Sequence, residues 1–487
     1  MRKNDRMPQQ SSRPPRRSRS LLGPVVAGLL IIALILGSVW AIPAVLAETE
    51  AGEPGRPINV VSAPAEPGEL PGVLDAAASS SEGPGTADDV IQETVTADLA
   101  GAPGSSSVTV LDAESGQVRA ERASGEARIP ASNQKTLTAL TVAEHLDPYS
   151  RLATAVETGE DPHRLTLVAG GDTLLAPGKG DPDAVNGRAG LEDLAERTAS
   201  ALTERGVRGE ITVSLDTSLF SGPALNPGWA QEDVAAGEIT AVSPLAMYSH
   251  RVPTSDGKDP GSHGERPENA GEAAADEFRE RLRNQLGTRA TVTPGEHARP
   301  EQAVELARVE SAPLHEQAAY MLAQSDNSLA ETLARVAARE AGEQGSVTGV
   351  QRAIRATLEA HSIDVAGADV IDASGMAVSN RVTTGLLAQA TRALLIDPDA
   401  GPYGQGLPLG GATGTLTDRF DDPDERAARG LTRAKTGTLN SVVSLSGYVQ
   451  RAGGEVLVYS VIFNDVQGQT GAARDTVDRT VAALAQG

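Results

Sequence analysis

The stretch Ile129-Pro130-Ala131-Ser132-Asn133-Gln134-Lys135-Thr136-Leu137 constrains the fold more than any other. Pro130 fixes its own φ and biases Ile129 away from the helical region, so an extended approach is expected. Beyond it Leu137, Leu140 and Ala143 recur at helical spacing, with no breaker before Pro148. A helix starting at Ser132 sets that hydroxyl among free backbone N–H groups, where negative charge is favoured. Lys135, three residues on, projects from the same face. A serine with an amine one turn away is a minimal nucleophile–base pair. Taken alone, Ser-x-x-Lys also describes a capping serine beside a solvated lysine.

Lysine usage separates the two readings. The chain has 42 basic residues, and five are lysines: Lys3, Lys135, Lys179, Lys258 and Lys435. Arginine serves almost everywhere that positive charge is needed. Arginine cannot lose its proton near neutral pH, whereas a lysine can be tuned to do so. Lys135 and Lys435 therefore call for individual explanation. Lys435 opens Lys435-Thr436-Gly437-Thr438, and a third cluster reads Ser325-Asp326-Asn327.

A chain of 487 residues exceeds one ordinary domain. Aromatics are 2%, so its cores must be built from Ala, Leu, Val and Ile. The absence of cysteine excludes disulfides, cysteine nucleophiles and thiolate metal sites. The seven histidines, His145, His163, His250, His263, His297, His315 and His361, include no pair at metal-ligand spacing, so no metal is expected. No cofactor motif is present. The formal charge of −23 hides an asymmetry: residues 1–47 carry seven basic side chains and one acidic, and the remainder 35 basic and 64 acidic. A body that acidic repels nucleic acid.

Residues 1–20 read as a basic cytoplasmic tail. Leu21 to Ala47 contains no charge and is long enough to span a bilayer. With the basic flank in front, the positive-inside rule sends the rest out of the cytoplasm. Both a single-pass anchor and a cleaved signal segment fit, the latter through Val45-Leu46-Ala47. Residues 48–87, rich in Pro, Gly and Ala, read as a disordered linker.

A folded body follows. Helices are expected at 87–99, from Ser132, and at 191–202, 278–286, 314–323, 328–339, 347–359 and 472–485. Strands are expected at 107–112, 117–120, 165–172, 210–216, 441–449 and 455–463, the last two joined as a hairpin through Ala452-Gly453-Gly454. Residues 254–275 read as a loop, and 151–300 as an α/β insertion without a catalytic set.

The three clusters in order, Ser132-x-x-Lys135, Ser325-Asp326-Asn327 and Lys435-Thr436-Gly437, match the signature of penicillin-binding proteins and active-site serine β-lactamases. The 193 positions between Ser132 and Ser325 narrow the match. The chain resembles the class C low-molecular-mass penicillin-binding proteins, the D-alanyl-D-alanine carboxypeptidase/endopeptidase family S13. Further matching segments are Gly170-Gly171-Asp172, Leu215-Asp216, Asp372-x-Ser374-Gly375, Asn380-Arg381 and Gly414-Thr415-Leu416. Two departures stand out: no proline follows Asp172, and Met376-Ala377 replaces the usual Leu-Ser.

The resemblance implies an α/β fold of the β-lactamase/transpeptidase type: an antiparallel sheet with flanking helices and a helical subdomain, formed by residues 88–150 and 301–487, with 151–300 inserted. It implies that Ser132 attacks the penultimate D-alanine carbonyl of a peptidoglycan stem peptide, and that β-lactam antibiotics acylate the same serine. Lys135 takes the proton, Ser325 relays it to the leaving amine, and Asn327 binds the substrate amide. Lys435 keeps the site positive, Thr436 and Thr438 hold the terminal carboxylate, and Gly437 completes that motif. The oxyanion hole would be the N–H groups of Ser132 and Thr438. Arg381, after the 372–375 turn, would pair with the free carboxylate of meso-diaminopimelate. Carboxypeptidase and endopeptidase activity both fit. The rivals are a serine β-lactamase and a catalytically silent wall-binding scaffold.

Overall fold

The computed structural model describes residues 87–262 and 264–486. The expectations for 1–20, the Leu21–Ala47 anchor or signal segment and all of the 48–87 linker but Ala87 lie outside the described residues; Ala87 is not linker but opens the helix Ala87–Asp98. Among the described residues, no helix is long and apolar enough to cross a membrane.

The strands, in chain order, are β1 Ser105–Asp112, β2 Val118–Arg122, β3 Arg151–Thr158, β4 Arg164–Ala169, β5 Gly209–Asp216, β6 Ala290–Pro294, β7 Val304–Pro313, β8 Thr432–Leu439, β9 Val442–Gln450 and β10 Val456–Asn464. They form two five-stranded sheets.

The first sheet has the order β2-β1-β10-β9-β8 and is antiparallel throughout. Period-two alternation explains its two covered faces. On β10, Leu457, Tyr459, Val461 and Phe463 enter one core with the helices Ala87–Asp98 and Thr470–Ala485. Val458 and Ile462 point the other way, toward the helix Thr384–Ile396 and the helical subdomain. Strand β8 is left as an edge.

The helical subdomain is organised around Gln134–His145. Nine of its twelve residues are buried, an unbroken run from Gln134 to Val142. A helix buried on every side must be wrapped by others. Leu314–Gln324, Asn327–Glu340, Val347–Ala360 and Thr384–Ile396 supply that wrapping through one core built mostly of Ala and Leu.

The second sheet, β6-β5-β4-β3-β7, is mixed. Strands β4, β5 and β6 run parallel, connected through the helices Leu191–Glu204 and Ala270–Leu286, which share one core with the sheet. The sheet runs past the expected boundary at residue 300, because β7 pairs with β3.

Several elements differ from the sequence reading. Pro130 is not extended: it has φ −81° and ψ −17°, and the bend falls on Ala131 at φ +49°. Ser132 lies in a 3-10 turn, Ala131–Asn133, and the α-helix starts at Gln134. The Pro130 carbonyl holds the bend, accepting from Asn133 N at 3.3 Å and from Ser444 Oγ at 2.6 Å. The Ala270–Leu286 helix begins inside the expected 254–275 loop, capped by Asn269, whose side chain accepts from Glu272 N at 3.2 Å. Strands β3, β6 and β7 and the Thr384–Ile396 helix were not expected. The Lys435 cluster lies within a further strand that was not expected, β8, which runs into the expected 441–449 strand.

Candidate active site

Three elements bring the three clusters together. The Ser132 turn is pinned to the first sheet: Asn133 Nδ2 donates to Ser444 Oγ at 2.5 Å. Strand β8 passes directly beside it. A Cβ at Gly437 would lie 2.2 Å from Ser444 Oγ and 2.8 Å from the Pro130 carbonyl, so only glycine fits there. From the helical side, Gly375 at φ +83° approaches as closely. A Cβ there would meet the Ala131 carbonyl at 1.9 Å.

Ser325 ends the Leu314–Gln324 helix in the left-handed conformation, φ 56° and ψ 35°. The next helix starts at Asn327, capped by Asp326, whose side chain accepts from Leu329 N. This reversal between two helix ends turns the Ser325 hydroxyl toward Lys435, whose Nζ donates to Ser325 Oγ at 2.9 Å and to the Thr436 carbonyl at 2.9 Å.

Lys135 Nζ lies 3.1 Å from Ser132 Oγ, 2.7 Å from Asn327 Oδ1 and 2.6 Å from the Ser374 carbonyl. The last two atoms are pure acceptors. A neutral amine donates one N–H to each, and its lone pair is left for the Ser132 O–H. Lys135 is fully buried, and burial lowers its pKa to about 8 against the opposing charges of Asp372, Asp326 and Glu331. A displacement of that size from 10.5 costs roughly 3 kcal/mol in the charged form. A solvated surface lysine carries no such cost, so Lys135 is not the solvated lysine of the alternative reading. Lys435 is likewise buried, and burial together with the charge of Lys135 moves its pKa well down.

The clusters open onto a cleft of about 880 Å³ lined by Ser132, Ser325, Asn327, Thr436 and Thr438. Thr436 Oγ1 donates to Thr415 Oγ1 at 2.8 Å. Asp233, Glu238 and Arg266, which follow β5 in the chain, line the same cleft. Asn327 Nδ2 donates to the Glu238 carbonyl at 3.1 Å.

Arg381 stands apart from this set. Val378 and Met376 line the cleft and Arg381 does not. Its Nη1 donates to the carbonyls of Val378 at 2.9 Å and Asn380 at 2.8 Å, which ties the guanidinium to its own turn.

The sequence reading gave no role to several groups. Glu331, fully buried, accepts from the backbone N–H of Ala373 and of Ser374, both at 2.9 Å, and so fixes the peptide whose carbonyl receives Lys135. Burial and the nearby Asp372 charge raise its pKa to about 7. Asp372 accepts from Trp229 Nε1 at 2.9 Å, from Gly375 N at 2.8 Å and from Asn380 Nδ2 at 2.8 Å. A carboxylate on the apolar face of the Asn327–Glu340 helix was the available signal for Glu331.

The model of the D-Ala-D-Ala carboxypeptidase 3 (S13) family matches residues 91–267 and 258–486. Carboxypeptidase DacB of Mycolicibacterium smegmatis is 33% identical over 385 residues, 77% of this chain and 79% of the relative. Carboxypeptidase Rv3627c of Mycobacterium tuberculosis is 34% identical over 364 residues, 73% of this chain and 75% of that protein. Among solved structures, penicillin binding protein 4 (dacB) from Haemophilus influenzae superposes with a TM-score of 0.61 at 19% identity, over 80% of this chain and 98% of that one. The fold is therefore the penicillin-binding, transpeptidase-like one, and with the family match over most of its length the chain belongs to the S13 family of D-Ala-D-Ala carboxypeptidases.

Proposed function

We propose that this serine-type D-Ala-D-Ala carboxypeptidase works through a Ser132 acyl-enzyme, with Lys135 as the base. The observation that carries the reading is the Lys135 amine site, where two fixed acceptors take the N–H groups of the neutral amine and leave its lone pair for Ser132. Ser132 Oγ attacks the carbonyl of the penultimate D-alanine as its proton passes to Lys135. The N–H groups of Ser132 and Thr438 receive the developing oxyanion. Ser325, hydrogen-bonded to Lys435, relays the proton taken up by Lys135 to the leaving D-alanine amine as the amide C–N bond breaks, which leaves Lys135 neutral again. Water then attacks the ester, Lys135 takes its proton, and that proton passes to Ser132 as the acyl–oxygen bond breaks. Thr436 and Thr438 hold the terminal carboxylate, beside the charge of Lys435. Strand β8 is an edge, so the peptide can lie against it as an added strand.

A cross-linked stem peptide differs from this substrate only beyond the scissile amide, so DD-endopeptidase activity is proposed alongside. Arg381 is proposed to reach substrates with a free carboxylate on the third residue. Its Nη1 is tied to the carbonyl of Val378, which itself lines the cleft.

We place residues 48–487 on the outer side of the cytoplasmic membrane, where peptidoglycan is found, held by Leu21–Ala47 or released after it. N-terminal sequencing of the native protein separates these. A start at Glu48 means cleavage, and retention of residues 1–20 in membranes means an anchor.

Incubation with benzylpenicillin tests the chemistry. One penicilloyl group is expected, on the peptide containing Ser132. Stable labelling fits the DD-peptidase, rapid turnover a β-lactamase, and no labelling a silent scaffold. A label on Ser325 would overturn the assignment.

A further inference from the structure

The segment that carries the second sheet reaches the catalytic centre through a strained turn. Tyr248, Ser249 and His250 hold successive φ values of +42°, +57° and +62°. Residues with side chains rarely adopt this region, and three in a row persist only where the surroundings over-determine them. Here Tyr248 N donates to the Leu175 carbonyl at 3.1 Å and Ser249 N to that of Thr173 at 2.7 Å. His250 Nε2 accepts from Ser243 N at 3.0 Å, and Arg266 Nη1 donates to the Ser249 carbonyl at 3.0 Å.

The turn delivers two donors to one carboxylate. Ser249 Oγ donates to Asp326 Oδ1 at 2.7 Å, and Arg251 Nη1 to Asp326 Oδ2 at 2.9 Å. Arg251 is 5% exposed and Asp326 3%, so the pair is shielded from water and neither charge is tolerable there alone. Asp326 stands between Ser325, which faces Lys435, and Asn327, which faces Lys135. Its carboxylate is a handle on both groups. The same segment also provides Trp229, which donates to Asp372, a second carboxyl group whose charge acts on Lys135.

We propose that Ser249 and Arg251 are positioning residues for acylation: through Asp326 they hold Ser325 and Asn327 against the two lysines, which makes the second-sheet segment part of the catalytic machinery. A merely appended surface would need no buried ion pair to the middle of a catalytic cluster. The inference rests on the Ser132 acyl-enzyme reading.

The test uses the full chain and a fluorescent penicillin, with thermal unfolding measured in parallel. Arg251→Met is expected to slow acylation about 100-fold or more, and Arg251→Lys to recover activity to within about tenfold of wild type, since it restores a cation at that site. Ser249→Ala is expected to slow acylation about fivefold with a small change in melting temperature. In an Asp326→Asn background, Arg251→Met should add less than about threefold, because the two act through one contact. Wild-type acylation rates in folded Arg251→Met and Ser249→Ala would overturn the proposal, as would fully additive losses in the double variant. If Arg251→Met does not fold, Ser249→Ala decides. An unlabelled wild-type protein would instead sink the Ser132 reading, and this inference with it.

Discussion

Lys435 Nζ meets Ser325 Oγ at 2.9 Å although 110 residues separate them in the chain. The Ser325-Asp326-Asn327 cluster is thus divided among three partners. Its first residue engages Lys435, its third engages Lys135, and its middle residue turns away to Arg251. Two lysines share one buried space, and their mutual repulsion favours a state in which one of them is neutral. Acyl transfer needs such a state, with one amine to take a proton and one cation to hold the carboxylate.

Exchanging each lysine for arginine separates these parts. Lys135→Arg is expected to abolish acylation by benzylpenicillin, a loss of about 1,000-fold or more, because guanidinium keeps its proton. Lys435→Arg keeps the charge and is expected to retain measurable acylation. Near-wild-type acylation by Lys135→Arg would remove that residue from the base role.

The pH dependence of acylation follows from the environment of Lys135. Burial brings its pKa to about 8, so the neutral form grows as pH rises toward and through that value. The second-order acylation rate should fall about tenfold per pH unit well below 8 and level off above it. A profile flat from about pH 6 to 9 would contradict a lysine base.

Glu331→Gln carries two expectations. The carboxyl pKa is raised from its ordinary 4.5 to about 7 in the folded protein. Between those values the folded state binds more protons than the unfolded one. The stability this contributes is complete below pH 4.5 and is lost as pH rises through 7. Glutamine keeps an oxygen for the Ala373 and Ser374 N–H groups without ionising. The variant should therefore melt several degrees above wild type at pH 8, and close to it at pH 4.5. Removing the negative charge also lowers the Lys135 pKa, so the acid limb of acylation moves to lower pH. Equal melting differences at both pH values would refute the linkage.

Arg381→Ala tests substrate selection. The expected result is a loss of about tenfold or more in kcat/KM on diaminopimelate-containing peptides, the scale of one charged hydrogen-bond pair, with little change on diacetyl-Lys-D-Ala-D-Ala. Equal losses on both substrates would show that the bonds from Arg381 to Val378 and Asn380 serve the turn alone.

The three clusters that the structure brings together were legible in the sequence because each is short and made of adjacent residues. Ser132 and Lys135 are one helical turn apart wherever the helix begins. The β9–β10 hairpin and the Val347–Ala360 helix were legible too, since their apolar periodicity is strong and local. Strand β7 was not. Four of its ten residues are exposed and three of those, Glu305, Arg308 and Glu310, are charged, so at the edge of a sheet it looks like a loop until β3 is found beside it. The Ala270–Leu286 helix was partly hidden, because its first turns are alanine, glycine and acid rather than an apolar stripe.

The sequence by itself determined which side chains could perform acyl transfer: a serine, two rare lysines and a serine–asparagine cluster. Only the tertiary structure decided how they are tuned. The Lys135 pKa falls because the packing of several helices and a sheet removes water from its amine, and no local pattern encodes that desolvation. Glu331, Asp372, Arg251 and Ser249 act over separations of tens to more than a hundred residues, through contacts that exist only once the two sheets and the helical subdomain have closed around the cleft. Burial and long-range pairing depend on the whole chain, so the candidate nucleophile was visible in nine residues while its electrostatic environment was not.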